Sequence, residues 1–318
     1  MGTASVQLLG DLMVDIAFEV DTLEALTRAR GSDYPSRAVM SPGGSAANTA
    51  TWLARAGNNV SLIGAVGTDP LGDYLINEIG KCGVHMLVQR VPEAQTGVCL
   101  ILNEFDGQRT MIPSAGANAK LDNSKLIDQL AASSITHLHV SAYMLFHELS
   151  GFTALAYMDA ARRMGATISL DPASSALLEH NQPQLMAALE RSDLLLANAD
   201  EAREITRLLS KKEIVDDNID MDLISAALNS SLPIVVVTDG PEPVRALVNT
   251  VHNFTSSVDK IGSVKSTTGA GDAFNSGFLN AWLAGSDIPA SIAAGTTLAA
   301  RVLGEIGATT LASESAPI

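Results

Sequence analysis

The chain has 318 residues, 47% of them hydrophobic and only 17% charged, so it carries enough apolar material for a large buried core and is neither disordered nor fibrous in composition. A formal net charge of −15 argues against nucleic acid or an anionic membrane as partner, because such surfaces select clustered Lys and Arg. Cys82 and Cys99 are too few for a disulfide framework or a zinc cluster and read as reduced thiols of a cytoplasmic protein.

In chain order, "SVQLLG" at 5–10 reads as the first strand, with no signal peptide ahead of it and no apolar run long enough to span a membrane. Residues 12–42 follow as an extended segment, then a helix over Ala46–Ala56, the strand "NVSLIGAVG" at 59–67 and a helix over Pro70–Cys82. Residues 94–116 form a second extended segment, in which Asp106-Gly107 separates two apolar runs, a hairpin signal. Beyond it, strands at 137–143, 166–171, 193–198 and 233–240 alternate with helices over Ser150–Met164, Pro183–Arg191, Asp200–Leu209 and Asp222–Asn229. The charged stretch 210–222 reads as an exposed loop, the helices Ala273–Ala284 and Pro289–Gly304 come last, and "ASESAPI" reads as a frayed end. Such alternation predicts crossover units and a mainly parallel sheet, with 12–42 and 94–116 forming a small antiparallel sheet beside it as a lid.

Near the C-terminus, "STTGAGDAFNSGF" puts Gly269, Ala270, Gly271 and Asp272 ahead of Phe274, Phe278 and Trp282, spaced by four, so a helix starts near Gly271 or Asp272. N–H groups at a helix start have no partner within the helix and sit at the positive end of its dipole, which suits phosphate oxygens. Read alone, Asp272 is equally well a helix cap. Two other phosphate loops are absent from the sequence: there is no G-x-x-x-x-G-K-[ST], and Phe274 stands where a dinucleotide fingerprint needs its third glycine. The six histidines form no metal-binding spacing; His137 and His139 share a strand face and read as satisfied strand residues.

Four segments in order carry a resemblance: "SPGGSAANTATWLARAGNNVSLIGAVGTDPLGDYL", "DGQRTMIPSAGAN", "NADE" and "STTGAGDAFNSGF". Over essentially its whole length the chain resembles the ribokinase-like sugar kinases of the PfkB family. That resemblance implies one kinase domain over 1–318: a three-layer α/β/α sandwich with a mainly parallel sheet and a small β-sheet lid from about 12–42 and 94–116. It implies transfer of the ATP γ-phosphoryl group to an alcohol, Asp272 acting as general base and the backbone of Gly269, Ala270 and Gly271 as anion hole. Substrate hydroxyls would meet Asp15, Gly43, Gly44 and Asn48. The nucleotide would meet Asn198, Thr238, Gly240 and Thr268, with Glu201 near Mg²⁺ through water. A free Asp, with a pKa of about 3.9, is a weak base, so positioning is expected to supply most of the effect.

Departures from the pattern narrow the substrate. The chain has "DPASS" where fructokinase-like and ketodeoxygluconate-kinase-like relatives often carry D-x-N-x-R, so Asp171 stays while the Asn and Arg are missing, which weakens the case for an acidic sugar. The expected acceptor is a ribose- or fructose-like sugar, with an adenosine-like nucleoside as alternative and a non-catalytic sugar-binding paralogue behind both. Ser266 stands where relatives carry an aspartate that helps to hold a monovalent cation, which predicts weak or absent K⁺ activation. Family lids often pair in dimers, so a homodimer through the lid is a further expectation.

Overall fold

Alternate residues of β1 (Ser5–Leu9) go to opposite faces: Val6 and Leu8 pack under one helical layer and Leu9 under the other. The division recurs in β10 (Leu194–Asn198), where Leu194 and Leu196 face one layer and Leu195 and Ala197 the other. Strands so short and apolar need cover on both sides, and each buried Leu contributes roughly 1.5–3 kcal/mol. The structure is a computed structural model that describes residues 5–105, 108–122, 134–210, 232–249, 252–258, 264, 266–303 and 308–309.

β1 pairs in parallel with β4 (Asn59–Gly67) and with β8 (His137–Ser141); outward from these lie β5 (His85–Val91) and β9 (Thr167–Asp171). Beyond β9 come β10, β11 (Ile234–Asp239), β12 (Glu242–Val248) and β13 (His252–Ser256), giving the order β13-β12-β11-β10-β9-β8-β1-β4-β5. All pairings are parallel except the two at the β12 and β13 edge. Helices Ser45–Arg55, Pro70–Lys81, Ala270–Leu283 and Ile288–Leu303 cover one face, and Glu148–Arg163, Gln182–Leu189 and Ala199–Ser210 the other. The sheet is laid down outward in both directions from β1 and β8, and at such a switch point the carboxyl ends of the strands open a crevice.

Beside it lies a four-stranded sheet in the order β3-β2-β6-β7, from β2 (Met13–Val20), β3 (Ala38–Gly43), β6 (Gly97–Glu104) and β7 (Arg109–Ser114). The expected antiparallel sheet is corrected here: β2 and β6 run parallel, because the chain leaves through the main sheet between them and returns in the same direction. The expected extended segment 12–42 also contains a short helix, Leu23–Arg28, whose N-cap Thr22 accepts from Ala25 N–H at 3.0 Å. β5, β12 and β13 went unread in the sequence. They lie at or near the sheet edges, where Gln89, Arg90 and Arg245 dilute the apolar pattern. The expected turn at 106–107, the helix over 222–229, most of the charged loop and the end of the chain lie outside the described residues. Among the described residues no helix is long and apolar enough to cross a membrane.

Candidate active site

Two helices aim their N-termini at a cavity of about 550 Å³ between the carboxyl ends of the main sheet and the small sheet. The Ser45–Arg55 helix starts from Gly44, whose φ of +102° suits glycine, and a Cβ there would lie 2.3 Å from Asp11 O. Asp11, carried just past β1, has its carboxylate beside the backbone N–H groups of Ser45 and Ala46 at the start of this helix. Among the described residues its buried Oδ1 has no hydrogen-bond partner.

The Ala270–Leu283 helix starts from Gly269, which has φ +78° and no room for a side chain, since a Cβ would meet Ala308 Cβ at 2.4 Å. Its N-cap residue offers no side-chain cap. The helix begins at Ala270, slightly earlier than the spacing predicts, so Asp272 lies inside the first turn and is not its N-cap. Phe274 and Phe278 stack at 6.2 Å and fix the helix against the core. Asn48 Nδ2 donates to Asp272 Oδ2 at 2.8 Å, tying the two helix starts together.

Burial, then the charge of Asp171, push Asp272 up to about 7, although Asn48 and Ser45 pull it back by hydrogen bonding. This corrects the expectation of a weak free carboxylate: at neutral pH such a group takes a proton readily while remaining substantially ionised. Asp15, on β2, rises to about 7 through burial and the nearby Asp11, and Asp11 itself rises to about 6, chiefly through burial. Desolvation raises both Asp171, at the end of β9, and Glu201, and the charge of Asp171 raises Glu201 further. Asp171 accepts from Ser45 Oγ at 3.3 Å, Asn275 Nδ2 at 2.9 Å and Ala173 N–H at 2.8 Å, the last in a tight turn that holds Ala173 at φ +70°.

At the carboxyl end of β10, Asn198 and Glu201 form a reciprocal cap: Asn198 N–H donates to Glu201 Oε2 at 2.8 Å and Glu201 N–H to Asn198 Oδ1 at 2.9 Å. Both face the cavity, so capping and ligand contact are compatible. Arg109 on β7 donates to Thr268 Oγ1 at 2.8 Å, and the charge that acts on it most is that of Asp272. Ser266 Oγ accepts from Thr268 N–H at 3.2 Å and closes the turn before the helix.

Of the residues singled out from sequence, Asp15, Gly44, Asn48, Asn198, Glu201, Thr238, Thr268, Gly269, Gly271 and Asp272 share this cavity. Gly43, Ala270 and Gly240 do not line it. Gly43 backs Asp15, where a Cβ would lie 2.3 Å from the carboxyl carbon, and Gly240 sits in the turn between β11 and β12 at φ +55°. Sequence reasoning did not assign Arg109, Tyr143 or Asn275. All three fall within segments already singled out, Arg109 in "DGQRT", Tyr143 at the end of the strand read at 137–143 and Asn275 in "STTGAGDAFNSGF", but no role was given to them. His137 bonds Thr167 and Ser169 through its two ring nitrogens at 2.8 Å each, as expected of a satisfied strand residue. His139 is only half so: Nδ1 meets Ser169 at 2.7 Å while Nε2 is buried without a partner, and burial lowers it to about 4, keeping it neutral.

Over residues 3–315 the chain matches the pattern described as pfkB family carbohydrate kinase. It is 31% identical over 299 residues to a fructokinase of Salmonella typhimurium, covering 92% of this chain and 88% of that one. It is 30% identical over 304 residues to an ATP-dependent ribose-1-phosphate kinase of Halopiger xanaduensis, covering 94% and 92%. A solved adenosine kinase of Sinorhizobium meliloti superposes with a TM-score of 0.84 at 23% identity, over 98% of this chain and 97% of that one, which speaks for the fold alone.

Proposed function

The chain belongs to the pfkB family of carbohydrate kinases, ATP-dependent phosphotransferases, and on that premise we propose how its residues divide the reaction. Asp272 takes the proton of an acceptor hydroxyl whose oxygen attacks the γ-phosphorus; the bond from γ-phosphorus to the bridging oxygen breaks, and its electron pair leaves with ADP. The N–H groups from Gly269 to Gly271 stabilise the charge on the transferring phosphoryl oxygens, a role for which an uncapped helix start is suited. Asp15, Gly44 and Asn48 hold the acceptor, with Gly43 shaping the backbone behind Asp15. Thr268, Asn198 and Thr238 border the nucleotide, and Gly240 shapes the turn beyond.

The observation that carries this reading is the placement of Asp272: in the first turn of an uncapped helix, oriented by Asn48, and sharing a cavity with Asp15. Mg²⁺ would be held through water by Glu201 and Asp171 while it shields phosphate charge. The donor set fits, because Mg²⁺ keeps several waters and takes one or two carboxylates alongside phosphates. Ser266 offers a neutral oxygen already engaged by Thr268 N–H, so we expect less than a twofold rate change on replacing Na⁺ by K⁺; a severalfold rise would overturn this.

The acceptor we favour is a ribose- or fructose-like sugar. A nucleoside is the second reading, favoured by the apolar Met13, Met111, Pro113 and Phe146 in the cavity wall. Exposed Met40 and Ile112 on the edge strands β3 and β7 support pairing of two lids in a dimer. The unpaired Cys82 and Cys99 support a cytoplasmic setting.

The test is ADP release with Mg-ATP across sugars and nucleosides, comparing wild type with Asp272→Asn. Loss of a general base should lower kcat by about 10²–10⁴-fold, with acceptor binding by calorimetry retained. Turnover that survives the substitution sinks the assignment.

A further inference from the structure

Gly269 opens the phosphoryl-binding backbone yet has no side chain with which to anchor itself, and glycine is the residue with the widest backbone freedom. Its support comes from near the end of the chain. Ala308 is buried against it, so closely that a Cβ on Gly269 would lie 2.4 Å from Ala308 Cβ and 2.6 Å from Ala308 Cα. The Ser45–Arg55 helix holds Ala308 in turn. Trp52, fully buried, donates its indole Nε1–H to Ala308 O at 3.1 Å, and Arg55 Nη1 donates to Thr309 O. The Arg55 guanidinium lies 5.0 Å from the centre of the Trp52 ring, so the two donors sit side by side.

Asn48, Trp52 and Arg55, spaced by four and three, form one stripe of that helix. At its head Asn48 bonds the Asp272 carboxylate at 2.8 Å, and one turn on Trp52 bonds the segment behind Gly269. Trp52 also packs in a buried cluster with Ala273, whose N–H donates to Gly269 O at 2.9 Å and closes the first turn of the Ala270–Leu283 helix. Base and phosphoryl-binding backbone are thereby tied to one rigid element. Preorganisation of this kind is what lets N–H groups stabilise developing charge without rearranging.

We propose that Trp52 is a positioning residue for phosphoryl transfer: its N–H clamps Ala308 against Gly269 and so fixes the backbone that receives the transferring phosphoryl group. The inference rests on the reading of Gly269 to Gly271 as the anion hole and adds the element that holds it in place. Trp52 does not line the cavity, so its effect runs through Ala308.

Trp52→Phe removes the N–H while keeping an aromatic ring in the cluster. With an acceptor that wild type turns over, kcat should fall about ten- to a hundredfold, the scale of a misplacement of roughly 1 Å at a reacting group, while KM for the acceptor is unchanged. A wild-type kcat, or a loss that falls on KM, overturns the proposal. Gly271→Ala separates the two levels: if it keeps its rate, the anion-hole reading fails and this inference with it, whereas a rate lost there and kept in Trp52→Phe sinks this inference alone. Should Trp52→Phe not fold, or wild type turn over no acceptor, emission decides. Trp282→Phe leaves Trp52 as the single indole. Its fluorescence should change saturably with Mg-ATP in a way that Mg-ADP does not reproduce, because the γ-phosphate is the group that reaches Gly269. An equal response to both nucleotides, or to neither, overturns the proposal.

Discussion

The Ser45–Arg55 and Ala270–Leu283 helices both start from a glycine at positive φ on the wall of one cavity, and they differ in what meets their first N–H groups. At the first, the Asp11 carboxylate lies beside them and places a buried negative charge at the helix start. At the second the cap residue is a glycine and Ala270 N–H turns back to Thr267 O at 3.3 Å, with the N–H groups of Gly269 and Gly271 at the positive end of the dipole. The two glycines also differ in backbone geometry, with ψ 132° at Gly44 and 2° at Gly269, and on the proposed reading the first start serves the acceptor and the second the phosphoryl group.

The most severe way to break the contrast is at Gly269. Ala there would carry a Cβ 2.4 Å from that of Ala308, on a residue at φ +78°, so both fold and site should suffer. We expect Gly269→Ala to lower the melting temperature by several degrees, with strain of roughly 1–3 kcal/mol, and to reduce kcat at least about 100-fold. Near-wild-type kinetics and melting would show that the second helix start tolerates reshaping and is no anion hole.

Gly271 sharpens the contrast because the fold does not require it. A Cβ at this position meets nothing within 4 Å, and the residue is exposed. Gly271→Ala should therefore melt with wild type yet lose about ten- to a hundredfold in kcat/KM, since a Cβ there stands where phosphate oxygens approach the backbone. An unchanged rate would place the phosphoryl group elsewhere.

Asp11→Ala opens the first helix start. It removes the carboxylate beside the N–H groups of Ser45 and Ala46, and losing such a group costs about 0.5–2 kcal/mol. Asp11 is also one of the charges that raise Asp15 and Asp272, so the lower limb of the kcat pH profile should move to lower pH. Loss of stability without that movement would reduce Asp11 to a charge at the helix start alone.

These distinctions mark where sequence reading stops. The alternation of apolar strands with helices was legible because period and length are local properties, and helix ends fell within about three residues of the observed ones. The glycine-led starts were legible for the same reason. Asp11 was visible as a loop aspartate beside β1, but that it lies at the start of a helix more than thirty residues on depends on β1 lying against that helix. The raised pKa of Asp272 was equally hidden, since it comes from burial and from Asp171, a hundred residues away in the chain. The parallel β2 and β6 pairing, set by the path through the main sheet, left no local trace either.

The gentlest probe is pH itself. Unfolded carboxylates titrate near 4, whereas Asp11 titrates at about 6 and Asp15 and Asp272 at about 7 in the folded chain. Between about pH 4 and 7 these carboxylates hold protons that they lack in the unfolded chain and so favour falling stability as pH rises. His137 and His139, lowered to about 3 and 4, oppose this below about pH 6.5, so that the fall is expected above that pH. Asp69 acts oppositely, because hydrogen bonds to Thr96 and Gly72 outweigh its desolvation and lower it, but its contribution is lost only below about pH 4. Melting temperatures measured without ligand from pH 6.5 to 8.5 should decline by a few degrees, at roughly 2–4 °C per kcal/mol, and then level off above about pH 8. Asp15→Asn should flatten part of that slope from the acceptor end and Asp272→Asn part of it from the phosphoryl end, which apportions the strain between the two helix starts. A melting temperature that climbs toward pH 8 would mean that the cavity carboxylates are better solvated than their burial implies, and Asp272 would then be the weak base that a free aspartate is.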